Sequence, residues 1–399
     1  MKLDRQRIAY RRDLPPLWML VMMAGLGPLA MNIILPAGPA VMHDLGTDYG
    51  VAQLVLTLYL AATAISQLFI GSWSDRVGRR PMILLGFVLF SLGSLMCAVA
   101  PSIGWLLVGR VIQGLGGSVG IALSRVIIRD VHEMDEAASL IGYVTMAMVV
   151  VPMVGPYFGG LLVDHGSWQG IYWLLFLLST LMLVVCFYTL HETHQPGQSD
   201  GPEQGDDYAS AARSLFSDRE FVRHLLLLSL ASGMYFVFLG GAPYVYTELM
   251  SVTATALGLY LMFNAVGYSL GNFLSGRYAK RVGIRVLIFA GLLMTGLGLL
   301  LLWLGYGTLS PLAMALPMMV ITFSNGLILP NATAAAISAK PRLSGMASGF
   351  CGFMQIAVGT LLTLIIGFWQ NDDQWRLYAL ITLSGVGSIL AYVLIRKND

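Results

Sequence analysis

Chemistry in this 399-residue chain would have to come from a few polar side chains set in long apolar runs. In "LLVGRVIQGLGGSVG", Arg110 and Gln113 stand three residues apart, on one face of a helix. A cation beside an amide suits a neutral or anionic ligand better than a cationic one. In "LGPLAMNIILPAGPAV", the Asn32 amide lies among aliphatic residues and three prolines, Pro28, Pro36 and Pro39. Tyr59, Tyr235, Asn264, Asn325 and Gln355 put further hydrogen-bonding groups in the middle of other runs. An unpaired amide in hydrocarbon costs about 2–7 kcal/mol, so these groups are expected to face a substrate cavity rather than lipid. Charges gather at the run ends. They include Asp75, Arg76, Arg79, Arg80, Asp130 and Glu248. No nucleophile–base pair, metal cluster or Walker motif stands out, so neither an enzyme nor an ATP-driven machine is expected, and no cofactor.

The elements that must position these groups follow from composition. Hydrophobic residues make up 57% of the chain and charged residues 11%, less than half the share in an ordinary soluble domain. Apolar runs recur at about 17–40, 52–73, 82–100, 103–128, 138–163, 168–190, 223–247, 255–276, 286–305, 310–337, 343–368 and 375–395. In lipid such runs must be helical, because every backbone polar group needs an internal partner. The expected fold is therefore an all-α polytopic membrane protein of twelve transmembrane helices. Cys97, Cys186 and Cys351 all lie inside apolar runs and read as packing residues. The basic start "MKLDRQRIAYRRD" precedes a first span expected to stay uncleaved.

One long polar segment, 191–222, divides the runs into six and six. The expected domains are an N-terminal six-helix bundle (1–190), a cytoplasmic linker (191–222) and a C-terminal six-helix bundle (223–399). With the N-terminus in the cytoplasm, all 23 basic residues except Arg110, Arg125 and Arg376 fall on the cytoplasmic side. Both termini are then cytoplasmic. The modest net charge of +2 reflects topology and gives no sign of a nucleic-acid partner. The halves also repeat. "GSWSDRVGRR" from Gly71 and "GRYAKRVGIR" from Gly276 share Gly, Arg, Val, Gly and Arg at a fixed offset of 205. Two parallel six-helix halves are the plan of a transporter that rocks about a midplane site.

The stretch at 71–80 has the form G-x-x-x-D-R-x-G-R-R. It resembles the signature loop between helices 2 and 3 of the major facilitator superfamily. That resemblance implies a gating relay of Gly71, Asp75, Arg76, Gly78, Arg79, Arg80 and Asp130, set against the start of helix 11 at Ser344 and Gly345. Leu106, Arg110, Gln113 and Gly114 match a second motif, L-x-x-x-R-x-x-Q-G. In "VVVPMVGPYFGG", Gly155, Pro156, Gly159 and Gly160, with Pro152 just before them, are similar to the kink motif of drug–proton antiporters. Gly155 and Gly159 there form a GxxxG face. The first span, with "SRVIIRDV" and "SWQGIYWLL", resembles the Bcr/CflA drug-resistance branch over almost the whole chain. The resemblance implies multidrug efflux and antibiotic resistance by alternating access in a bacterial inner membrane, with drug exchanged for protons. The partners would be a small-molecule substrate, protons and membrane lipid, and the protein would be a monomer.

One position departs from the branch. Asn32 stands where relatives keep an aspartate, and asparagine cannot titrate. None of the 21 acids falls at the midplane of a run. Glu248, at the end of the seventh run, is the best remaining candidate proton site, with Asp75 or Asp130 coupling protons to closure as the alternative, and Asn32 is expected to contact substrate or Arg110. Proton antiport therefore stays an expectation beside an alternative, a dedicated metabolite carrier or facilitator without proton coupling. A receptor-like protein that moves nothing would need a large soluble domain. The 22 methionines and many apolar walls suit an amphipathic, adaptable ligand.

Overall fold

The computed structural model describes residues 15–131, 134–193, 208–340, 343–370 and 373–394. The first run forms α1 (Leu17–Asn32), a 3-10 turn (Leu35–Ala37) and α2 (Gly38–Asp44). Pro36 and Pro39 lack the N–H groups that would continue the ladder, so the helix breaks directly after Asn32. Then follow α3 (Tyr49–Val77), α4 (Arg79–Ala98), α5 (Ile103–Val131), α6 (Met134–His165) and α7 (Trp168–Thr189). The second half holds α8 (Tyr208–Phe216), α9 (Arg219–Tyr244), a π turn (Val245–Leu249), α10 (Ala254–Val282) and α11 (Ile284–Leu304). It ends with α12 (Pro311–Ala339), α13 (Ser344–Trp369) and α14 (Trp375–Leu394).

Each of the twelve apolar runs coincides with a long helix, helix 1 counted across its break. Ten of these helical segments are long and apolar enough to cross a membrane. The other two are α6 and α10, of 32 and 29 residues. They are long enough at about 1.5 Å per residue. α10 carries Asn264, Asn272, Arg277, Lys280 and Arg281, which lower its hydropathy.

The polar 191–222 segment is not wholly a linker. Residues 194–207 lie outside the described residues, but 208–216 form α8, with Ala211 and Leu215 buried. Lys340 donates to the Ser214 carbonyl at 2.7 Å, and Phe216 packs edge-on against Phe350. Asp218 caps α9 by accepting from the N–H groups of Glu220 and Phe221 at 2.9 and 3.1 Å. Composition alone hid this short amphipathic turn.

The chain forms two compact units. Unit 1 comprises Met1–Asn32, Ala62–Pro152 and Gln169–Asp200. Unit 2 comprises Ile33–Ala61, Met153–Trp168 and Gly201–Asp399. Unit 1 has its core around Met19, Met23, Phe87, Leu123, Ile127 and Met182. α1 lies tightly on α5: a Cβ at Gly27 would strike the Gly117 carbonyl, and one at Gly120 that of Met23. Unit 2 packs α9 against α12, α13 and α14, and α12 against α10 and α11.

The internal repeat is visible in backbone geometry. Gly78, between α3 and α4, has φ 102° and ψ 157°; Gly283, at the same offset of 205, has φ 82° and ψ 153°. Both lie in the left-handed half of the map, where glycine is tolerated.

Candidate functional site

In unit 1 the polar site is a connected network. Arg110 is fully buried on α5. Its guanidinium donates to Gln113 Oε1 and, at 3.3 Å, to the main-chain carbonyl of Ala30 on α1. Gln113 passes the chain on, donating through Nε2 to Ser94 Oγ at 2.8 Å, and Ser94 donates to the Phe90 carbonyl at 2.7 Å. Tyr172 of α7 sets its ring 5.9 Å from the guanidinium carbon. The approach of α4 to α5 that brings Ser94 to Gln113 depends on Gly93, where a Cβ would collide with the Gln113 backbone.

Asn32 is also buried, but it does not bond Arg110. Its Nδ2 donates to the Pro28 carbonyl at 2.9 Å, one turn back in its own helix, and its Oδ1 has no hydrogen-bond partner. The guanidinium instead takes the Ala30 carbonyl, two residues earlier.

Unit 2 holds the remaining amides. Asn264 on α10 is fully buried, with neither Oδ1 nor Nδ2 bonded; Asn325 on α12 is buried with an unbonded Oδ1. Thr322 of α12 donates to the Asn264 main-chain carbonyl at 2.7 Å, tying the two helices beside these amides. Tyr59 is fully buried on α3, whereas Tyr235 on α9 and Gln355 on α13 are partly buried.

The signature loop lies in unit 1. Arg79 is buried and donates to Ser74 Oγ and Asp75 Oδ1. Sequence reasoning missed Glu192. Its carboxylate accepts from the Arg79 N–H at 2.9 Å and the Arg80 N–H at 3.2 Å, capping α4. Arg80 donates to the Phe187 carbonyl at 2.8 Å, while Arg76 is exposed. The surroundings of Gly71 and the side chains of Asp130 and Ser344 lie outside the described residues.

Pro152 and Pro156 sit within α6, which runs unbroken as a helix. The close approaches fall at Gly159 and Gly160. A Cβ at Gly159 would strike the Ile33 carbonyl at the break in helix 1, and one at Gly160 the Ala254 carbonyl of α10. Glu248, in the π turn after α9, stands away from any run centre. It pairs with His43 Nε2 of α2 at 3.1 Å. Together they line a cavity of about 640 Å3 with Asp48, Tyr49, Tyr244 and Gln370.

Twelve long apolar helices, an internal repeat of six and polar side chains buried at mid-helix define a polytopic membrane transporter. The chain belongs to the Major Facilitator Superfamily, whose profile matches residues 20–364. It is 27% identical over 385 residues to Multidrug resistance protein D of Escherichia coli, covering 96% of each chain. It is 26% identical over 375 residues to the Bicyclomycin resistance protein homolog of Haemophilus influenzae, covering 94% of each. Its fold matches the crystal structure of a D-xylose-proton symporter with a TM-score of 0.74 at 15% identity, over 94% of this chain and 96% of that one. Members of this family are transporters, not enzymes.

Proposed function

We propose that the protein exports drugs or related amphipathic small molecules by alternating access, as a member of the Bcr/CflA branch in a bacterial inner membrane. Both termini and the 191–222 segment would face the cytoplasm, as the distribution of basic residues supports. The observation that carries the reading is the set of buried amide atoms without a protein partner, on Asn32, Asn264 and Asn325. Unmatched polar atoms inside membrane-crossing helices are costly, and a hydrogen-bonding substrate would match them. Full-length similarity to two drug-resistance proteins supports the choice of substrate class.

In this reading Arg110, Gln113, Asn264, Asn325, Tyr235 and Gln355 are the groups that contact substrate. The loop Asp75–Arg80 gates the inner end. At the outer end, the contacts within unit 2 that join α6 to α10 and α3 to α13 hold the gate closed. Protons are the coupling ion, with Glu248 and His43 as the exchanging pair. Asn32 in place of an acid favours a second reading, a metabolite facilitator without proton coupling. Drug susceptibility of a deletion strain tests export: unchanged inhibitory concentrations across a broad panel would overturn it. Proteoliposomes with imposed pH gradients test coupling: flux indifferent to gradients of either sign would leave the facilitator standing.

A further inference from the structure

The start of α10 has its N–H groups matched from two distant places. Thr253 Oγ1 accepts from Ala256 at 3.2 Å, and the Thr253 carbonyl from Leu257 at 2.9 Å. The two N–H groups ahead of these, on Ala254 and Thr255, donate to Asp164 Oδ1 at 3.2 Å and Oδ2 at 2.8 Å. Asp164 belongs to the last turn of α6 and lies in unit 2 with α10. The helices around this cap touch backbone to backbone. A Cβ at Gly160 would strike the Ala254 carbonyl, and one at Gly258 the Pro156 carbonyl. A carboxylate on two N–H groups at a helix N-terminus meets both the free donors and the positive end of the helix dipole.

We propose that Asp164 is the latch of the outer gate, a positioning residue that holds the end of α6 on the start of α10 and limits the rate at which that end opens. The inference rests on the transporter reading above.

The groups around Asp164 decide whether it also carries protons. His165 neighbours it on α6; the first turn of α10 carries no charged residue; Asp44 of α2 accepts from the Trp168 indole at 2.9 Å. Burial pushes the Asp164 carboxyl up, but the hydrogen bonds from Thr255 and Ala254 and the field of His165 outweigh it, and its pKa lies below the usual aspartate value. A carboxyl depressed in the closed junction and ordinary in the open one stabilises closure above its open-state pKa. That contribution disappears only as pH falls through the lower, closed-state value. Between about pH 5 and about pH 8 Asp164 therefore stays ionised and carries no proton in the cycle.

The test uses the full chain with Cys97, Cys186 and Cys351 replaced by serine and one reporter, Thr57→Cys. Thr57 is buried in unit 2, where its hydroxyl meets that of Thr363 at 3.3 Å, so opening would expose it. A membrane-impermeant maleimide is added outside whole cells. Asp164→Ala should raise the labelling rate about tenfold, and Asp164→Asn, which keeps an acceptor but loses the charge, about threefold. Ala254→Pro deletes one donor at a helix position that tolerates proline and should also raise the rate.

Parental labelling in Asp164→Ala and Asp164→Asn, with melting temperatures unchanged, would overturn the latch. Drug efflux by the parent is measured in the same cells. Its absence with the labelling effect intact rejects the export reading alone; its presence with no labelling effect rejects the latch alone.

Discussion

In unit 1, the buried polar groups of α4 and α5 form a hydrogen-bonded chain from Arg110 Nη1 through Gln113 and Ser94 to the Phe90 carbonyl. In unit 2, Asn264 and Asn325 are equally buried yet hold side-chain atoms that meet nothing. Both sets lie in helices long enough to cross a membrane, so the difference is one of matching and not of depth. A matched network fixes its own geometry and strengthens in a low dielectric. An unmatched amide raises the energy of the protein until something supplies its partners. In the proposed reading, the amides of unit 2 are the groups whose energy changes most when substrate arrives.

The contrast can be broken by substitution. Arg110→Ala should cost the most, about 2–3 kcal/mol of stability, because it strands Gln113 Oε1 and the Ala30 carbonyl. Thermal unfolding in detergent reads this; a parental melting temperature would show that the network fixes little. Asn264→Leu should move stability the other way, leaving it unchanged or raised by about 1 kcal/mol, while efflux falls. Joint loss of stability and transport would mean that the amide is matched in the working protein.

Asn32→Asp sharpens the same comparison at the break in helix 1. It places a titratable group where Oδ1 now lacks a partner, and the dependence of efflux on an imposed proton gradient should appear or strengthen. A parental pH profile for that variant would separate position 32 from coupling. The smallest effect is expected at Glu248→Gln. Glu248 and His43 are 28% and 66% exposed, so the pair contributes less than about 1 kcal/mol and unfolding should not change. If protons pass through this pair, flux loses its response to pH while substrate binding persists.

Much of this was legible in the chain. The helices follow from apolar length, and the break after Asn32 follows from Pro36 and Pro39, whose missing N–H groups cannot be supplied by any neighbour. The repeat was legible because glycine is needed where φ is positive, so Gly78 and Gly283 stand at equivalent places. Arg110 and Gln113 were legible as a pair because three residues make less than one full turn. The GxxxG spacing of Gly155 and Gly159 pointed to tight packing, but spacing could not say that Gly159 would meet helix 1 and Gly160 the start of α10.

The sequence by itself determined where the long apolar helices form, where helix 1 fails and which family the chain joins, because hydrophobic length, proline and glycine act locally. Only the tertiary structure decided which carboxylates do structural work. Asp164 and Glu192 cap helices whose first residues lie 90 positions later and 113 positions earlier in the chain. A helix start accepts any carboxylate that packing brings within reach, so no local spacing records the partner. Packing likewise decided that Arg110 would join a hydrogen-bonded chain and that both polar side-chain atoms of Asn264 would meet nothing, since each outcome depends on which groups the neighbouring helices present.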